Sequence, residues 1–574
     1  MERPPGAARD AFMKPSTLAY GVDDRPPPVV ALLSAAQHVA MVTGIGVVFP
    51  LLVLHEAGAG ADATDHVIRL SMVALGIATL LQSLRSHYVG SGYLAPAVFT
   101  AAYLPANLAA AQLGGLPMVA GMTMLAGLTE IVLAWGVVRL RPFLPSEIAG
   151  FAVMMIGIVL GVLGFDLIAV KGEIHAHAHN AVLTHAIVLG GASLAIMVGL
   201  NVWGGTRLRL YSVLVGILAG YVAAAQWGEL DTRPILAALR ELPSLPALPL
   251  ALPHFSADLA VPYAIGAVAS VLRVLGDITT CQKINDRDWT RPDMKTIRGG
   301  LIANGLGTLI AGALGTVGVN TFSGSIALSA ATGVTSRFVG FVAGGILILL
   351  ASLPSATETL SNMPRPVMGA ILVYSGCFIL VNGLQIIMTR SLDNRKILVI
   401  GLSLIAGLCS YAFPSFFAAL PPHVAPLAAS PFELSVLTAL ILNALFRIGV
   451  QQRATMLYDP ASTAFGALAD FVVKQGGRWG ARRDVVERVN RALREFAQMA
   501  GTLVASGHAA SVRLSFDDIR IEVRLNYRGE VYQRAAAPPT QEAAGLEFLV
   551  TPLADQVKMR HDGDRQTIKL SFHH

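Results

Sequence analysis

The sequence predicts an all-α polytopic membrane protein with a small α+β domain at its C-terminus, and three observations predict it. Of 574 residues, 54% are hydrophobic and 14% charged, with a mean hydropathy of +0.60; a soluble domain carries about 25% charge. Apolar runs of about 20 residues, the length that crosses a bilayer, recur from residue 30 to residue 450. After about residue 451 the composition turns charged. This composition excludes a soluble enzyme, a disordered chain and a fibrous one. The net charge of +6 is what lysines and arginines in cytoplasmic loops supply, not a nucleic-acid footprint. Three cysteines without a CxxC pair exclude a disulfide scaffold or zinc site. Residues 1–28 are polar and Pro-rich, without the basic start, apolar centre and small-residue cleavage site of a signal peptide, and read as a cytoplasmic tail.

Taken in order, candidate spans lie at 30–54, 66–84, 91–110, 116–136, 145–165, 183–203, 208–226, 262–281, 299–317, 320–333, 336–354, 367–387, 396–412 and 433–450. That makes fourteen transmembrane segments. The third, SGYLAPAVFTAAYLPANLAA, is interrupted by Pro96 and Pro105, and the tenth, NTFSGSIALSAATG, is too short and polar to span as one helix. Broken segments persist at membrane depth only where they are buried or line a cavity. These two stand seven places apart, which predicts a 7+7 inverted repeat with a binding site near the midplane.

With the N-terminus inside, the short inner loops hold fourteen Lys and Arg residues, Arg85 and Lys283 among them, and the outer loops five. Both termini are therefore expected in the cytoplasm of a bacterial inner-membrane protein. Beyond the last span, Arg482 to Ala500 has helical periodicity, while Ser511 to Leu525 and Gln566 to Phe572 alternate as strands do. Residues 460–574 are read as a cytoplasmic α+β domain and 29–450 as the membrane domain.

Several local motifs add a family likeness. They are Gln37-His38 in the first span, GSGYLAP at 90–96, Gly276-Asp277 in the eighth span, RGGLIANGLGTLIAGALGT at 298–316, and Thr332-Gly333 followed by Ser336-Arg337. Together they resemble the nucleobase–ascorbate transporter family, the nucleobase-cation symporters or xanthine/uracil permeases, over roughly residues 28–450. The resemblance implies fourteen spans in a core (about 29–136 and 262–354) and a gate (about 145–226 and 367–450), a homodimer, and elevator-like alternating access. The chain also departs from the family. Arg273 stands where members carry a substrate-binding Glu, Asn304 where many carry Asp, Gly324 at a Gln/Glu position, Ser325 at the Asn and Ala327 at the Gly.

Arg273 and Asp277 lie mid-span, one helical turn apart. Charges there are expensive and usually mark a substrate or ion path. A guanidinium suits a carboxylate, imide anion or enolate through two parallel hydrogen bonds. Arg273 is thus expected to bind an anionic substrate. Asp277 would neutralise it in the empty state or carry the coupling proton; the alternative is a structural ion pair. Ser323, Gly324 and Ser325 are expected to form a polar cradle where the tenth segment turns helical, with Phe99 as an aromatic wall. Small-residue helix packing would explain the same residues. His38 is a candidate for substrate contact and proton relay, or a satisfied core histidine. The HAHAH run at 175–179 reads as a solvated loop, and no metal or cofactor site is expected.

The tail resembles the ATP-binding fold of histidine kinases and anti-sigma-factor kinases, through RALREFAQMA, RLSFDDIRIEVRL and GLEFLVTPLADQVKMRHDGDRQTIKLSF. In that likeness Met499, four after Glu495, replaces the magnesium-binding Asn, and Tyr527-Arg528-Gly529 replaces Asp-x-Gly. A degenerate, non-ATP-binding module is implied. The whole chain is expected to be a secondary active transporter, not an enzyme. Its substrate would be a small anionic or acidic solute, an oxopurine such as urate or xanthine or an organic carboxylate. The coupling ion would be H⁺, with Na⁺ as the alternative. An anion exchanger or channel-like carrier on the same fold, and a ligand sensor signalling through the tail, are the other readings. No P-loop supports primary pumping.

Overall fold

The computed structural model describes residues 15–573 except 17, 87, 141–145, 170–179, 206–210, 229, 231–232, 234–242, 245, 248–251, 288, 290–291, 389–391, 422–427, 447–451, 464, 480, 482, 506, 518–519 and 530–553. The HAHAH run lies outside the described residues. The chain forms two compact units; the first ends at Leu442, and the second runs from Asn443 to the end with Arg390–Asp393.

The first unit is mostly helical. Its helices are α1 (Pro28–Gly46), α2 (Val48–Glu56), α3 (Ala61–Ser83), α4 (Leu104–Leu140, broken at Gly114 and Gly115), α5 (Ser146–Ala169), α6 (Asn180–Trp203), α7 (Ser212–Gln226), α8 (Ala260–Asn285), α9 (Met294–Ala313), α10 (Ser323–Thr332), α11 (Arg337–Ala351), α12 (Pro354–Ser361), α13 (Arg365–Ile387), α14 (Asn394–Ala412), α15 (Pro414–Ala418) and α16 (Pro431–Phe446), whose last four residues belong to the second unit. Among the described residues eight helical segments are long and apolar enough to cross a membrane, α1 with α2 counting as one. A ninth is added if α11 and α12, bent by 84°, form one broken span; α7 and α16 are shorter apolar helices. This is the polytopic helical fold that the composition requires.

Lipid gives apolar helices no reason to associate, so close backbone approach through small residues must supply it. Three helix pairs do so. A Cβ on Gly76 of α3 would stand 2.8 Å from Gly344 O of α11, and one on Gly344 would stand 2.9 Å from Gly76 O. Gly127 of α4 and Gly305 of α9 block each other in the same way, at 2.6 and 2.9 Å. On α5, Gly164 lies against α13, 2.7 Å from Gly369 O by the same measure.

The second unit is a five-stranded antiparallel sheet in the order β3 (Gln452–Tyr458), β4 (Ala510–Phe516), β5 (Arg520–Arg528), β7 (Arg565–His573), β6 (Gln556–Asp562). The unit therefore reaches back before residue 460, because β3 pairs with β4 along its whole length. Helices α17 (Phe465–Arg478) and α18 (Arg483–Leu503) supply the core with Leu468, Val472, Val489, Leu493 and Phe496. The strands supply Val512, Leu514, Ile521, Val523, Leu525, Leu570 and Phe572. The alternate strand positions form the other face, and they are basic. Arg513 pairs in register with Arg524, Arg524 with Lys569 and Lys569 with Lys558. Glu522 sits among these cations, 2.7 Å from Lys569 Nζ. Burial pushes its carboxyl up, but the Lys569 ammonium, then Arg524 and Arg520, outweigh burial and hold it below the usual carboxylate range. Like charges opposite one another weaken a sheet, by about 0.2–1 kcal/mol per pair. Arg513→Thr is therefore expected to raise the unfolding midpoint of the tail slightly, read by thermal or urea unfolding; a lower midpoint would mean that the cation row stabilises the sheet.

Candidate functional site

The two segments read as broken are each a short strand followed by a helix. Strand β1 (Ala97–Phe99) leads through a 3₁₀ turn, Ala101–Tyr103, into α4, and β2 (Val319–Thr321) leads into α10. The strands pair antiparallel, Ala97 with Thr321, Val98 with Asn320 and Phe99 with Val319. Thr100 N donates to Gly318 O at 3.0 Å and Phe322 N to Pro96 O at 3.0 Å, which extends the ladder at both ends. The prolines and small polar residues that spoil a spanning helix thus free backbone groups that satisfy each other between the two segments. Thr100 Oγ1 caps the 3₁₀ turn at Ala102 N, and Gly333, at φ 70°, ends α10 in the left-handed conformation that glycine tolerates.

Helix α8 lies beside β2 and α10 and carries Arg273 and Asp277. Their side chains are 16% and 10% exposed, and Arg273 Nε stands 3.9 Å from Asp277 Oδ2. That is a loose pair. Asp277 is held more tightly by the broken segment: Ser323 Oγ donates to Oδ1 at 2.6 Å and Thr321 Oγ1 to Oδ2 at 2.7 Å. The carboxylate sits at the start of α10, where the helix dipole favours negative charge. Among the described residues Arg273 is approached by Asp277 through Nε alone.

The other expected site residues fall around this pair in different ways. Ser323 is the residue that binds Asp277. Ser325 is buried and its Oγ has no hydrogen-bond partner among the described residues. Gly324 is packed under the Phe322 ring, where a Cβ would meet Cζ at 2.6 Å, so the aromatic ring takes the space that glycine leaves. Phe99 is fully buried in the β1–β2 ladder. His38, on α1, is buried with Nε2 3.5 Å from Ser329 Oγ of α10. Its neighbour Gln37 instead donates to Tyr211 Oη at 2.6 Å, tying α1 to the start of α7.

Three residues of this region were missed in the sequence. Thr321 holds Asp277 from 44 residues away, a pairing that no local pattern reveals. Glu130 on α4 is fully buried. It accepts from Tyr103 Oη at 2.5 Å and from Asn304 Nδ2 at 2.8 Å. The argument that singled out Arg273, a charge in an apolar run, applies equally to Glu130 in GMTMLAGLTEIVLAWG. Glu433 of α16 is likewise a buried carboxyl.

Comparison with known proteins bears on this arrangement. A xanthine/uracil profile described as "Permease family" matches residues 30–416. Xanthine permease XanP of Escherichia coli (strain K12) is 30% identical over 446 residues, which cover 75% of this chain and 95% of the relative. Xanthine permease XanQ of the same strain is 27% identical over 459 residues, 76% of this chain and 95% of that protein. Among solved structures, the transmembrane domain of a cyanobacterium bicarbonate transporter, BicA, is similar at 18% identity and a TM-score of 0.47, covering 74% of this chain and 99% of that one. The profile spans both strand-and-helix segments and the Arg273–Asp277 helix, and the protein is a membrane transporter that belongs to the xanthine/uracil permease family, the nucleobase–ascorbate transporters.

Proposed function

We propose that the protein is a secondary active symporter for an acidic oxopurine such as xanthine or urate, taken up with H⁺. Two relatives named xanthine permeases support the oxopurine. The charge at Arg273 supports the anionic form, and it is the observation that carries the reading. In the proposed empty state Asp277 neutralises Arg273 (3.9 Å). An arriving imide anion or enolate takes the guanidinium fork through two charge-assisted bonds. Asp277 stays ionised between Ser323 and Thr321, since a carboxylate only accepts and both hydroxyls donate. His38 and Ser325 are proposed to line the same site from α1 and α10, with Phe99 behind it and Ser323 and Gly324 at the cradle.

The larger architecture belongs to the same proposal. It comprises fourteen segments in a 7+7 inverted repeat, core and gate domains working as an elevator, a homodimer, and both termini in the cytoplasm of an inner membrane. The reading is tested by uptake into proteoliposomes. Labelled xanthine should concentrate only when the lumen is alkaline, and urate should compete. Uptake that needs xanthine on the far side and ignores the gradient would mark an exchanger instead.

The tail is proposed to act by contact, not by ATP. Tyr527, at the adenine position, is buried and packs at a tilt against Phe496, ring centroids 5.9 Å apart. Met499 offers a thioether, too soft a ligand for magnesium. Titration of the full-length protein with ATP and Mg²⁺ in a calorimeter should give no heat of binding at micromolar protein; a micromolar Kd would overturn this.

A further inference from the structure

Glu130 is a carboxyl that the substrate site does not use. It is fully buried in the apolar run of α4, and no cation pairs with it among the described residues. Its two oxygens have separate donors, Tyr103 Oη on Oε1 (2.5 Å) and Asn304 Nδ2 on Oε2 (2.8 Å). Tyr103 can reverse its polarity, since a phenol rotates to accept as readily as it donates, while Asn304 keeps donating, its Nδ2 also reaching the Val319 carbonyl, which only accepts, at 3.3 Å. The pocket can therefore satisfy Glu130 with or without a proton, a property that a purely structural ion pair lacks.

From Glu130 an unbroken chain of hydrogen bonds runs to the substrate pair. Asn304 Nδ2 also reaches Ser270 Oγ (3.3 Å), and Ser270 Oγ accepts from Asn320 Nδ2 (3.0 Å). Asn320 Oδ1 accepts from the Thr321 amide (2.7 Å), and Thr321 Oγ1 donates to Asp277 Oδ2 (2.7 Å). The last link is a switch. The single hydroxyl proton of Thr321 faces two acceptors, Asp277 Oδ2 at 2.7 Å and Asn320 Oδ1 at 3.3 Å, and serves one at a time. Two links are amides, which keep their protons, and Asn320 is fixed in one sense by the Ser270 carbonyl on its Nδ2 (3.3 Å) and the Thr321 amide on its Oδ1, so the chain couples its ends through polarisation of its hydrogen bonds and not by passing a proton. It joins α4, α9, α8 and β2, and so ties the start of α10 to the interior of the unit.

We propose that Glu130 is the binding site of the coupling proton, and that its protonation is linked to the charge at Arg273 and Asp277 through Asn304, Ser270, Asn320 and Thr321. The proposal rests on the ion-coupled reading above. Among the described residues, the other titratable or charged groups at α4 include Tyr103, with Tyr263 stacked on it at 6.1 Å, His254, whose amide donates to Pro117 O, Arg298 over the Trp135 ring at 5.4 Å, and Glu56 at Gln112, and α8, packed against α4, carries Arg273 and Asp277. None of these supplies a second carboxyl to the pocket.

The test uses full-length protein in proteoliposomes and in detergent. Glu130→Gln should keep xanthine exchange but lose at least tenfold of the accumulation driven by a pH gradient. Calorimetry of xanthine binding in two buffers of different ionisation enthalpy should give a number of exchanged protons that differs between the wild type and Glu130→Gln, the variant keeping only the protons that xanthine itself releases as it ionises. The paired variant Glu130→Gln with Asn304→Asp moves the acid across one hydrogen bond and should recover both. Gradient-driven accumulation by Glu130→Gln equal to the wild type would overturn the proposal. So would wild-type accumulation that follows a sodium gradient at equal pH, which would give the site to Na⁺. If Glu130→Gln does not fold, the paired variant decides, since binding restored without accumulation counts against it. Failure of the wild type itself to accumulate xanthine under any gradient would instead remove the symport reading.

Discussion

Arg273→Glu is expected to abolish binding of the anionic oxopurine, with Kd rising about 100-fold or more. A hydrogen bond to a charged group is worth about 1.5–3 kcal/mol, and each 1.4 kcal/mol is about tenfold in Kd. Loss of a two-bond fork therefore exceeds two decades before repulsion is added. Repulsion is added, because the new carboxylate lies one turn from Asp277, which the proposed site keeps ionised between Ser323 and Thr321. Arg273→Lys should lose less, about tenfold, since a point charge keeps attraction but not the planar fork. Equilibrium binding of urate and xanthine to the purified variants checks this. A neutral purine that gains affinity in Arg273→Glu as urate loses it would show that the sign of residue 273 sets the specificity. Urate binding unchanged in Arg273→Glu would remove Arg273 from the site.

Asp277→Asn carries the second large effect, and on stability before transport. The mutation leaves Arg273 without its counter-charge at 84% burial of its side chain, and breaking a buried pair costs about 3–5 kcal/mol. It also removes the negative charge at the start of α10, where Thr321 and Ser323 now donate to an amide that offers one acceptor oxygen. The unfolding midpoint of the empty protein should fall by several degrees. Saturating urate should restore more of it than urate adds to the wild type, because the bound anion becomes the only counter-charge of Arg273 and ligand stabilises by mass action. A purely structural ion pair predicts the fall without the larger rescue. Paired unfolding curves with and without urate separate the two.

The polytopic helical fold was legible because a bilayer demands long apolar runs and punishes interruptions; among the described residues eight or nine segments are long and apolar enough to cross. Pro96, Pro105 and the polar run after Asn320 marked the two breaks for that reason. That the breaks are strands paired with each other was not legible, since three residues such as Val319–Thr321 are too few to show an alternation. Arg273 and Asp277 could be read from spacing on one helix. Their real restraint, Thr321 and Ser323, comes from a segment 44 and 46 residues away and needs the fold. Glu130 was legible by the same cost argument as Arg273 and was passed over because no motif drew the eye to it; its pairing with Asn304 spans 174 residues. In the tail, the alternation over 511–525 hid a hairpin, β4 and β5, and β3 was missed because its strand lies so close to the last span.

The central claim is that the site selects an anion through Arg273. Calorimetric titration of the full-length wild-type protein with xanthine, urate and the less acidic hypoxanthine, repeated across a range of pH, tests it most directly. The account predicts that affinity follows the concentration of the purine anion, with urate and xanthine binding more tightly as they ionise and hypoxanthine weakest throughout. Hypoxanthine binding as tightly as urate, with an affinity that does not move as the ligands ionise, would contradict it.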